Sequence, residues 1–238
     1  MPKGRFATLT SWSYSVYHQY LACPFSVCLD KIQRIRIQEP ENPHFVKGDR
    51  VHKSAETFIS GAGRAPKLEP ELEKLRPLLT DLRKAKARVE LEWAFTKKWE
   101  PTGWFDKDAW LRMKVDACKD TINPPTVDIL DWKTGRQYDD HKQQRSLYGT
   151  GGLQLVQIGT LAGGSKYTKL TARHVYVDQP YFNATETYTM QNLASLKREW
   201  LARIKGMMSD TVFSVKEGHH CKYCRFARSK GGPCPAKQ

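Results

Sequence analysis

Three closely spaced segments in the middle of the chain have the patterns of β-strands, and they constrain the fold more than any other feature. The first two, "RVELEWAF" and "WLRMKVDACKD", alternate apolar and polar residues, as half-buried strands do. The third, "TVDILDWKT", is largely apolar yet carries Asp128, Asp131 and Lys133. Because buried charge is costly unless it is paired or binds a metal, the end of this third strand is a candidate functional site.

Helical periodicity dominates the segments around these strands. We predict helices in residues 11–24 (with a second short helix after them), 43–63, 69–87, 139–164 and 192–210, and late strands in 169–180 and 183–190. Pro77 interrupts the third helix, which we expect at the surface. This order of elements predicts an α/β or α+β fold in which helices flank a mixed central β-sheet.

The bulk composition points to a polyanionic partner. The chain has 238 residues and a formal net charge of +14, and positive charge is the main sequence-independent source of affinity for nucleic acid. A basic protein kept soluble by its charge is the alternative. No apolar run approaches the ~20 residues of a membrane span, and the N-terminus has no secretory h-region. We therefore expect no membrane association and a cytoplasmic location, in a bacterium or a phage-infected host.

The acidic residues of the second and third strands suggest a metal site. If these strands form an antiparallel hairpin, Asp116 and Asp131 converge, and a divalent cation would relieve their repulsion. Lys133 shares a strand face with Asp131 and can orient a water molecule or a phosphate oxygen. Such a group suits phosphodiester hydrolysis. Taken alone, the tripeptide Asp131–Lys133 could equally be two charged residues at the end of a strand with no function.

The surrounding motifs resemble the RecB-like branch of the PD-(D/E)xK nucleases, whose fold is restriction-endonuclease-like. The motifs stand in family order from Gly48 to Tyr148: G-x-x-x-H at Gly48/His52, the strand aspartate Asp116, D-x-K at Asp131/Lys133, and Q-x-x-x-Y at Gln144/Tyr148. The resemblance implies that His52, Asp116, Asp131 and the Trp132 carbonyl bind Mg²⁺ or Mn²⁺. It also implies that Lys133 is catalytic.

Other polar residues near these motifs receive less specific interpretations. The resemblance implies that Gln144 and Tyr148 position DNA or the active-site lysine. We interpret Asp128 as structural and treat Glu56, Glu90 and Glu92 as candidates to support the metal ligands. The histidines that match no motif are interpreted as surface or packing residues: His18, His44, His141 and His174.

The cysteines suggest a second metal centre. Without a secretory signal, metal ligation or chance explains the six cysteines better than disulfides do. Cys221, Cys224 and Cys234 stand in a short, basic tail, and Cys23 shares with Cys234 a following proline, which makes it the best fourth ligand. Four thiolates suggest structural zinc. Cys28 and Cys118 fit no ligand spacing and are interpreted as small buried residues.

One cysteine before the nuclease core and three after it resemble the iron–sulfur nucleases of this branch, the AddB type and the small CRISPR-associated RecB-like exonucleases. That resemblance covers nearly the whole chain and implies a [4Fe–4S] cluster on Cys23, Cys221, Cys224 and Cys234. His219 or His220 could replace the third tail ligand. The cluster is expected to act structurally, joining the N- and C-terminal segments.

Together these features predict a single RecB-like nuclease domain over 1–238, with a catalytic core at 44–165 and a cluster region at 10–30 plus 215–238. The predicted function is metal-dependent exonuclease digestion of single-stranded DNA or DNA ends, in phage or bacterial recombination or DNA degradation. A CRISPR spacer-acquisition nuclease and a non-catalytic nucleic-acid-binding module with a structural metal are the alternatives. A homo-oligomer, or a recombination or integrase partner, is also compatible with the sequence.

The N-terminal aromatic residues allow two interpretations. They could stack on bases, although at this spacing such side chains more often belong to a core. The residues concerned are Trp12, Tyr14, Tyr17 and Tyr20.

Overall fold

A mixed β-sheet of six strands carries the central part of the chain. In this computed structural model the described residues are 5–38, 42–61, 63–139, 141–179 and 183–236. The strands are β1 Arg88–Phe95, β2 Pro101–Thr102, β3 Leu111–Thr121, β4 Thr126–Lys133, β5 Lys169–Tyr176 and β6 Asn183–Tyr188. Their order is β2-β1-β3-β4-β5-β6, and every neighbouring pair is antiparallel except β4 and β5. The predicted mixed sheet flanked by helices is therefore confirmed.

The helices match the periodic segments of the sequence. They are α1 Tyr14–Ala22, α2 Pro24–Val27, α3 Pro43–Ser60, α4 Arg76–Lys84, α5 His141–Gln157 and α6 Leu193–Ser209. A 3₁₀ turn, Pro70–Leu75, precedes α4. Ser13 caps α1 by accepting a hydrogen bond from the Val16 amide, so the helix begins three residues after the predicted start at residue 11. Among the residues placed in the predicted elements, Ala62, Asp140, Pro180, Lys237 and Gln238 lie outside the described ones.

Helix α3 covers one part of the sheet through its apolar stripe. Asn42 caps the helix, and Pro43 occupies its first position, where no backbone donor is needed. Val51 and Ala55 are fully buried and join Leu130 of β4 in the same core. The helix therefore holds its polar stripe, including His52, in a fixed position beside β4.

Residues 69–87, which include the 3₁₀ turn and α4, were expected at the surface, and this prediction is wrong for one face of the helix. Leucines at helical spacing on the 3₁₀ turn and α4 are buried and join the α3 core: Leu72, Leu75, Leu79 and Leu82. The charged residues that suggested a surface helix lie on the opposite face. Pro77 falls in the first turn of α4, where proline is tolerated, and so marks the start of the helix.

Helix α5 forms the crossover between the parallel strands β4 and β5. From the sequence alone, the Gly149–Gly152 cluster would be interpreted as a helix flaw or a turn, but its three glycines are buried inside a continuous helix. A Cβ atom on Gly149 would lie 2.5 Å from a ring carbon of Tyr188, and one on Gly152 would lie 2.5 Å from Leu170 Cδ1. These glycines therefore let α5 approach the sheet more closely than larger residues would.

The chain divides into two compact units. One unit is Glu41–Arg198, which contains all six strands, and the other is formed by Met1–Pro40 and Glu199–Gln238. In the second unit Trp12 stacks on Trp200, with ring centroids 5.6 Å apart, and Tyr17 meets the same indole edge-on. Trp12 and Tyr17 are thus core residues rather than exposed stacking platforms.

No helix in the described part of the chain is both long and apolar enough to cross a membrane.

Candidate active site

The predicted metal ligands from α3, β3 and β4 converge around one histidine. The His52 ring on α3 is 3.3 Å from Asp116 Oδ1 through Nδ1 and 3.0 Å from the Trp132 carbonyl oxygen through Nε2. The Trp132 amide donates a 2.7 Å hydrogen bond to Asp116 Oδ2. The antiparallel pairing of β3 and β4 that would bring Asp116 to Asp131 is present, with Ala117 opposite Leu130.

Glu90 of β1 completes a group of possible metal ligands. Ligand atoms of His52, Glu90 and Asp116 all lie within 4.8 Å of one another. Glu90 has a positive φ of 51° inside the strand, between Val89 and Leu91, which pair with β3 on either side of Asp116. Such a conformation is costly for a residue with a side chain and is found mainly at functional sites. The sequence suggests Glu90 as a candidate, but the alternating strand pattern does not predict its irregular backbone conformation.

Asp131 and Lys133 form a close ion pair at the end of β4. Lys133 Nζ lies 2.6 Å from Asp131 Oδ2, as expected for residues two apart on one strand face. Burial alone would raise the pKa of Asp131, but the positive charge of Lys133 and hydrogen bonds from neighbours lower it to about 2. Asp131 is therefore ionised at neutral pH, although it is almost fully buried.

Gln144 and Tyr148 of α5 contact the same carboxylate from the other side. The Tyr148 hydroxyl lies 2.7 Å from Asp131 Oδ1, and Gln144 Nε2 lies 2.9 Å from the Tyr148 oxygen and 3.3 Å from that carboxylate oxygen. Their spacing of four residues places both side chains on one helix face. In this arrangement the pair orients Asp131 rather than Lys133.

His174 of β5 is a site residue that sequence reasoning missed. It is fully buried, and its Nε2 atom lies 4.0 Å from Asp131 Oδ2. Burial lowers the pKa of His174 to about 3, and the charges of Lys133 and Arg145 act in the same direction. Arg145 Nη1 lies 3.2 Å from His174 Nδ1, so this nitrogen acts as the acceptor of a neutral ring. Parallel pairing places His174 opposite Asp131, which no local motif could predict.

The protonation of His52 and Asp116 is coupled through their contact. Burial disfavours a charged His52, but the hydrogen bond to Asp116 and the nearby carboxylates outweigh it and raise its pKa. Burial and the charge of Asp131 raise the pKa of Asp116. Because both neighbours of the His52 ring are acceptors, the two ring nitrogens can donate to them at the same time only when the ring is protonated.

These residues fit a hard divalent cation. Carboxylates, a backbone carbonyl and an imidazole are the donors that Mg²⁺ and Mn²⁺ use, and His52, Glu90, Asp116 and the Trp132 carbonyl offer that set within a small space. Asp131 stands next to this group and interacts electrostatically with both Asp116 and His52. A cation bound here would replace the proton that lies between His52 and Asp116.

Three of the remaining candidates lie outside this arrangement. Glu56 pairs with Lys53 at 2.8 Å, and Glu92 is an exposed residue of β1. Asp128 accepts a hydrogen bond from Thr171, which agrees with the structural role expected for it. Glu90, by contrast, is oriented by Lys114, whose Nζ lies 2.5 Å from its Oε2 atom.

Four cysteines face one pocket in the unit formed by the chain ends. Cys23, Cys221, Cys224 and Cys234 line it together with His220, and all have free thiols. Burial and then the neighbouring sulfur atoms raise the pKa of the Cys224 thiol. Cys28 and Cys118 are fully buried elsewhere, as expected.

The sheet, the crossover helix and the acidic group with its lysine define a class of metal-dependent nucleases. The family model of the PD-(D/E)XK nuclease superfamily matches residues 11–229 of this chain. The chain belongs to the PD-(D/E)XK nuclease superfamily.

Two solved structures are similar along nearly the full length of the chain. The crystal structure of SSO0001 has a TM-score of 0.41 at 16% identity, covering 98% of this chain and 89% of that one. A protein from Eubacterium rectale named "Putative exonuclease" has a TM-score of 0.48 at 11% identity, with coverages of 96% and 90%. A search of curated proteins found no match.

Proposed function

We propose that this chain is a divalent-metal-dependent DNA exonuclease that digests single strands or DNA ends in bacterial or phage recombination or DNA degradation. The observation that carries the proposal is the convergence of His52, Glu90 and Asp116 beside the Asp131–Lys133 pair. The net charge of +14 supports a nucleic-acid substrate.

Each residue of the site has a chemical task in hydrolysis. A bound Mg²⁺ or Mn²⁺ would lower the pKa of a water molecule and neutralise charge on the scissile phosphate. The Lys133 ammonium can donate to the attacking water or to a phosphate oxygen. Tyr148 and Gln144 keep Asp131 in place by binding its Oδ1 atom.

Digestion of labelled DNA tests this proposal. We expect linear single-stranded DNA to be shortened from an end with Mn²⁺ or Mg²⁺, and a circular single strand to survive. Substrates blocked at the 5′ or 3′ end give the polarity. Degradation of the circle at the same rate would contradict the exonuclease assignment.

Two aspartates of one strand provide a matched pair of variants. Asp131→Asn should abolish Mn²⁺-dependent digestion, because the amide cannot pair with Lys133 or complement a cation. Asp128→Asn, on the same strand but bonded to Thr171, should retain digestion. Equal activity of the two variants would place the chemistry elsewhere.

We also propose that the four cysteines hold a [4Fe–4S] cluster. Tetrahedral zinc, with Zn–S bonds near 2.3 Å, keeps its sulfur atoms about 3.8 Å apart. The four thiols, all in the described part of the chain, line one pocket together with His220, and four thiolates could also bind a single zinc ion. The resemblance of one cysteine before the nuclease core and three after it to the iron–sulfur nucleases favours the cluster.

Anaerobic purification tests the cluster. The protein should be brown and contain about four iron atoms per chain if the cluster is of this type. Cys224→Ala should lose the iron, whereas Cys118→Ala, which removes a buried thiol of β3, should keep it. A colourless protein with stoichiometric zinc would contradict the cluster.

A further inference from the structure

An exposed tyrosine stands at the start of the helix that contributes Gln144 and Tyr148. Tyr138, in the loop between β4 and α5, is 60% exposed. Its carbonyl accepts a hydrogen bond from the His141 amide, which fixes the residue at the beginning of α5. Unlike the other exposed aromatic rings that the structure describes, such as Phe105 and Tyr167, this one stands directly between the strand that carries Asp131 and the helix that carries Gln144.

A continuous series of ring contacts connects Tyr138 to the catalytic carboxylate. The Tyr138 ring meets the His141 ring edge-on at 5.5 Å, and His141 meets His174 edge-on at 5.3 Å. His174 Nε2 in turn lies 4.0 Å from Asp131 Oδ2. The exposed ring is therefore held within a few side chains of the reacting groups.

The surroundings of Tyr138 suit a nucleotide. Arg136 is exposed two residues before it, and Lys133 and Lys142 lie on either side along the chain. Lys142 is 73% exposed, with Glu186 at 3.9 Å as its acidic neighbour, and Asp139 is the acidic residue next to Tyr138. A flat ring with cations nearby is the arrangement that binds an unpaired base and its phosphate.

We propose that Tyr138 is a stacking platform for the base of a nucleotide next to the scissile phosphate. This inference rests on the proposed nuclease function and narrows its substrate to unpaired nucleotides, either single strands or frayed ends. A base within a duplex is covered on both faces by its neighbours and cannot stack on the ring without first being unstacked. Stacking also tolerates any base, as an exonuclease requires.

Steady-state digestion of single-stranded DNA gives the first test. Tyr138→Ala should raise KM about tenfold with a smaller change in kcat, because stacking holds the ground state and the transition state alike. Tyr138→Phe keeps the ring and should behave like the unmodified protein. Tyr167→Ala is the control, since Tyr167 is 78% exposed but precedes β5 at the opposite end of the β4–β5 pair. Equal KM values for Tyr138→Ala and Tyr167→Ala would overturn the proposal.

Binding without cleavage separates this inference from the nuclease assignment. Oligonucleotides carrying 2-aminopurine at successive positions are titrated in the absence of metal, and one position should lose fluorescence on binding. Tyr138→Ala should remove this quenching, and an abasic site at that position should remove the difference in Kd between the two proteins. Quenching that depends on Tyr138 in a protein that cleaves nothing would refute the nuclease function alone. Quenching that persists in Tyr138→Ala would refute the platform.

Discussion

Among single residues, Glu90 carries a conformational cost that points to a role at the metal site. Its φ of 51° interrupts an otherwise regular strand, opposite Asp116. Strain of this kind costs on the order of 1–3 kcal/mol and persists where the surrounding structure requires it. In this conformation a carboxylate oxygen of Glu90 lies within 4.8 Å of ligand atoms of His52 and Asp116, so the three residues could bind one cation.

Substitution of Glu90 should weaken metal binding. We expect Glu90→Gln to lower Mn²⁺ affinity about 10- to 100-fold, the range found when a supporting carboxylate is lost from a metal site. Isothermal titration calorimetry measures the affinity directly. Glu92→Gln, an exposed position two residues further along β1, is the control and should bind Mn²⁺ normally. Equal losses in both variants would indicate a general charge effect.

Metal affinity should increase with pH because the ligands must first lose protons. The pKa of His52 is raised above its ordinary value and that of Asp116 is raised as well. Below the pKa of His52 the ring is protonated and competes with the cation, so Mn²⁺ affinity should rise with pH through and beyond the ordinary titration range of imidazole. Calorimetry in two buffers of different ionisation enthalpy should reveal proton release on Mn²⁺ binding at pH 6.5. A pH-independent affinity with no proton release would contradict this coupling.

The sequence contains most of the site but not all of it. His52, Asp131 and Lys133 belong to motifs of fixed spacing on one element, and Asp116 is identified by its place between them in the order of the family motifs. The sequence predicts Glu90 only as a support for the metal ligands and His174 only as a surface or packing residue. The position of Glu90 depends on a local backbone distortion, and that of His174 on the pairing of β4 with β5. Periodicity describes which face a residue occupies, but not irregular backbone or the partners of a strand.

At the scale of elements, the position of α5 depends on its glycines. Gly149, Gly151 and Gly152 face the sheet, and added Cβ atoms would contact Tyr188, Met113 and Leu170, respectively. The helix also carries Gln144 and Tyr148 to Asp131, so its distance from the sheet sets their hydrogen bonds. The glycines looked like interruptions in the sequence because helix propensity alone disfavours them. Packing outweighs that preference here.

Alanine substitution at two glycines should give opposite changes in stability. Gly149→Ala should lower the free energy of unfolding by about 1–3 kcal/mol, because the rigid Tyr188 ring would lie 2.5–2.8 Å from the new methyl group. Gly206→Ala in α6 should raise it by about 0.5–1 kcal/mol, since nothing lies within 4 Å of its added Cβ. Urea denaturation measures both. A stabilised Gly149→Ala would mean that α5 is not closely packed on the sheet.

At the scale of the whole molecule, the two candidate metal centres belong to different compact units. The ligand group around His52 lies in Glu41–Arg198, and the four cysteines lie in the unit formed by the chain ends. Their chemistry differs in the same way, with hard oxygen and nitrogen donors in one and soft thiolates in the other. Donor type alone should therefore direct Mg²⁺ or Mn²⁺ to the first and iron or zinc to the second.

The net charge of +14 makes a prediction about binding that separates electrostatic contacts from stacking. Each phosphate neutralised on a single strand contributes about −0.7 to the slope of log K against log salt concentration. Arg136→Ala should therefore make that slope shallower by about 0.7 if its exposed guanidinium meets a phosphate. Tyr138→Ala should weaken binding by the same factor at every salt concentration, because stacking releases no counterions.

Fluorescence titrations of one oligonucleotide at roughly 50 to 200 mM salt give the slope for each variant, and these slopes are compared. Lys169→Ala is the charge control, because Lys169 is exposed at the first residue of β5, at the opposite end of the strand pair from Lys133. Its slope should equal that of the unmodified protein. A slope change of equal size in Lys169→Ala would mean that the DNA is held by the charge of the whole surface, whereas a change confined to Arg136→Ala would place the strand along the loop between β4 and α5.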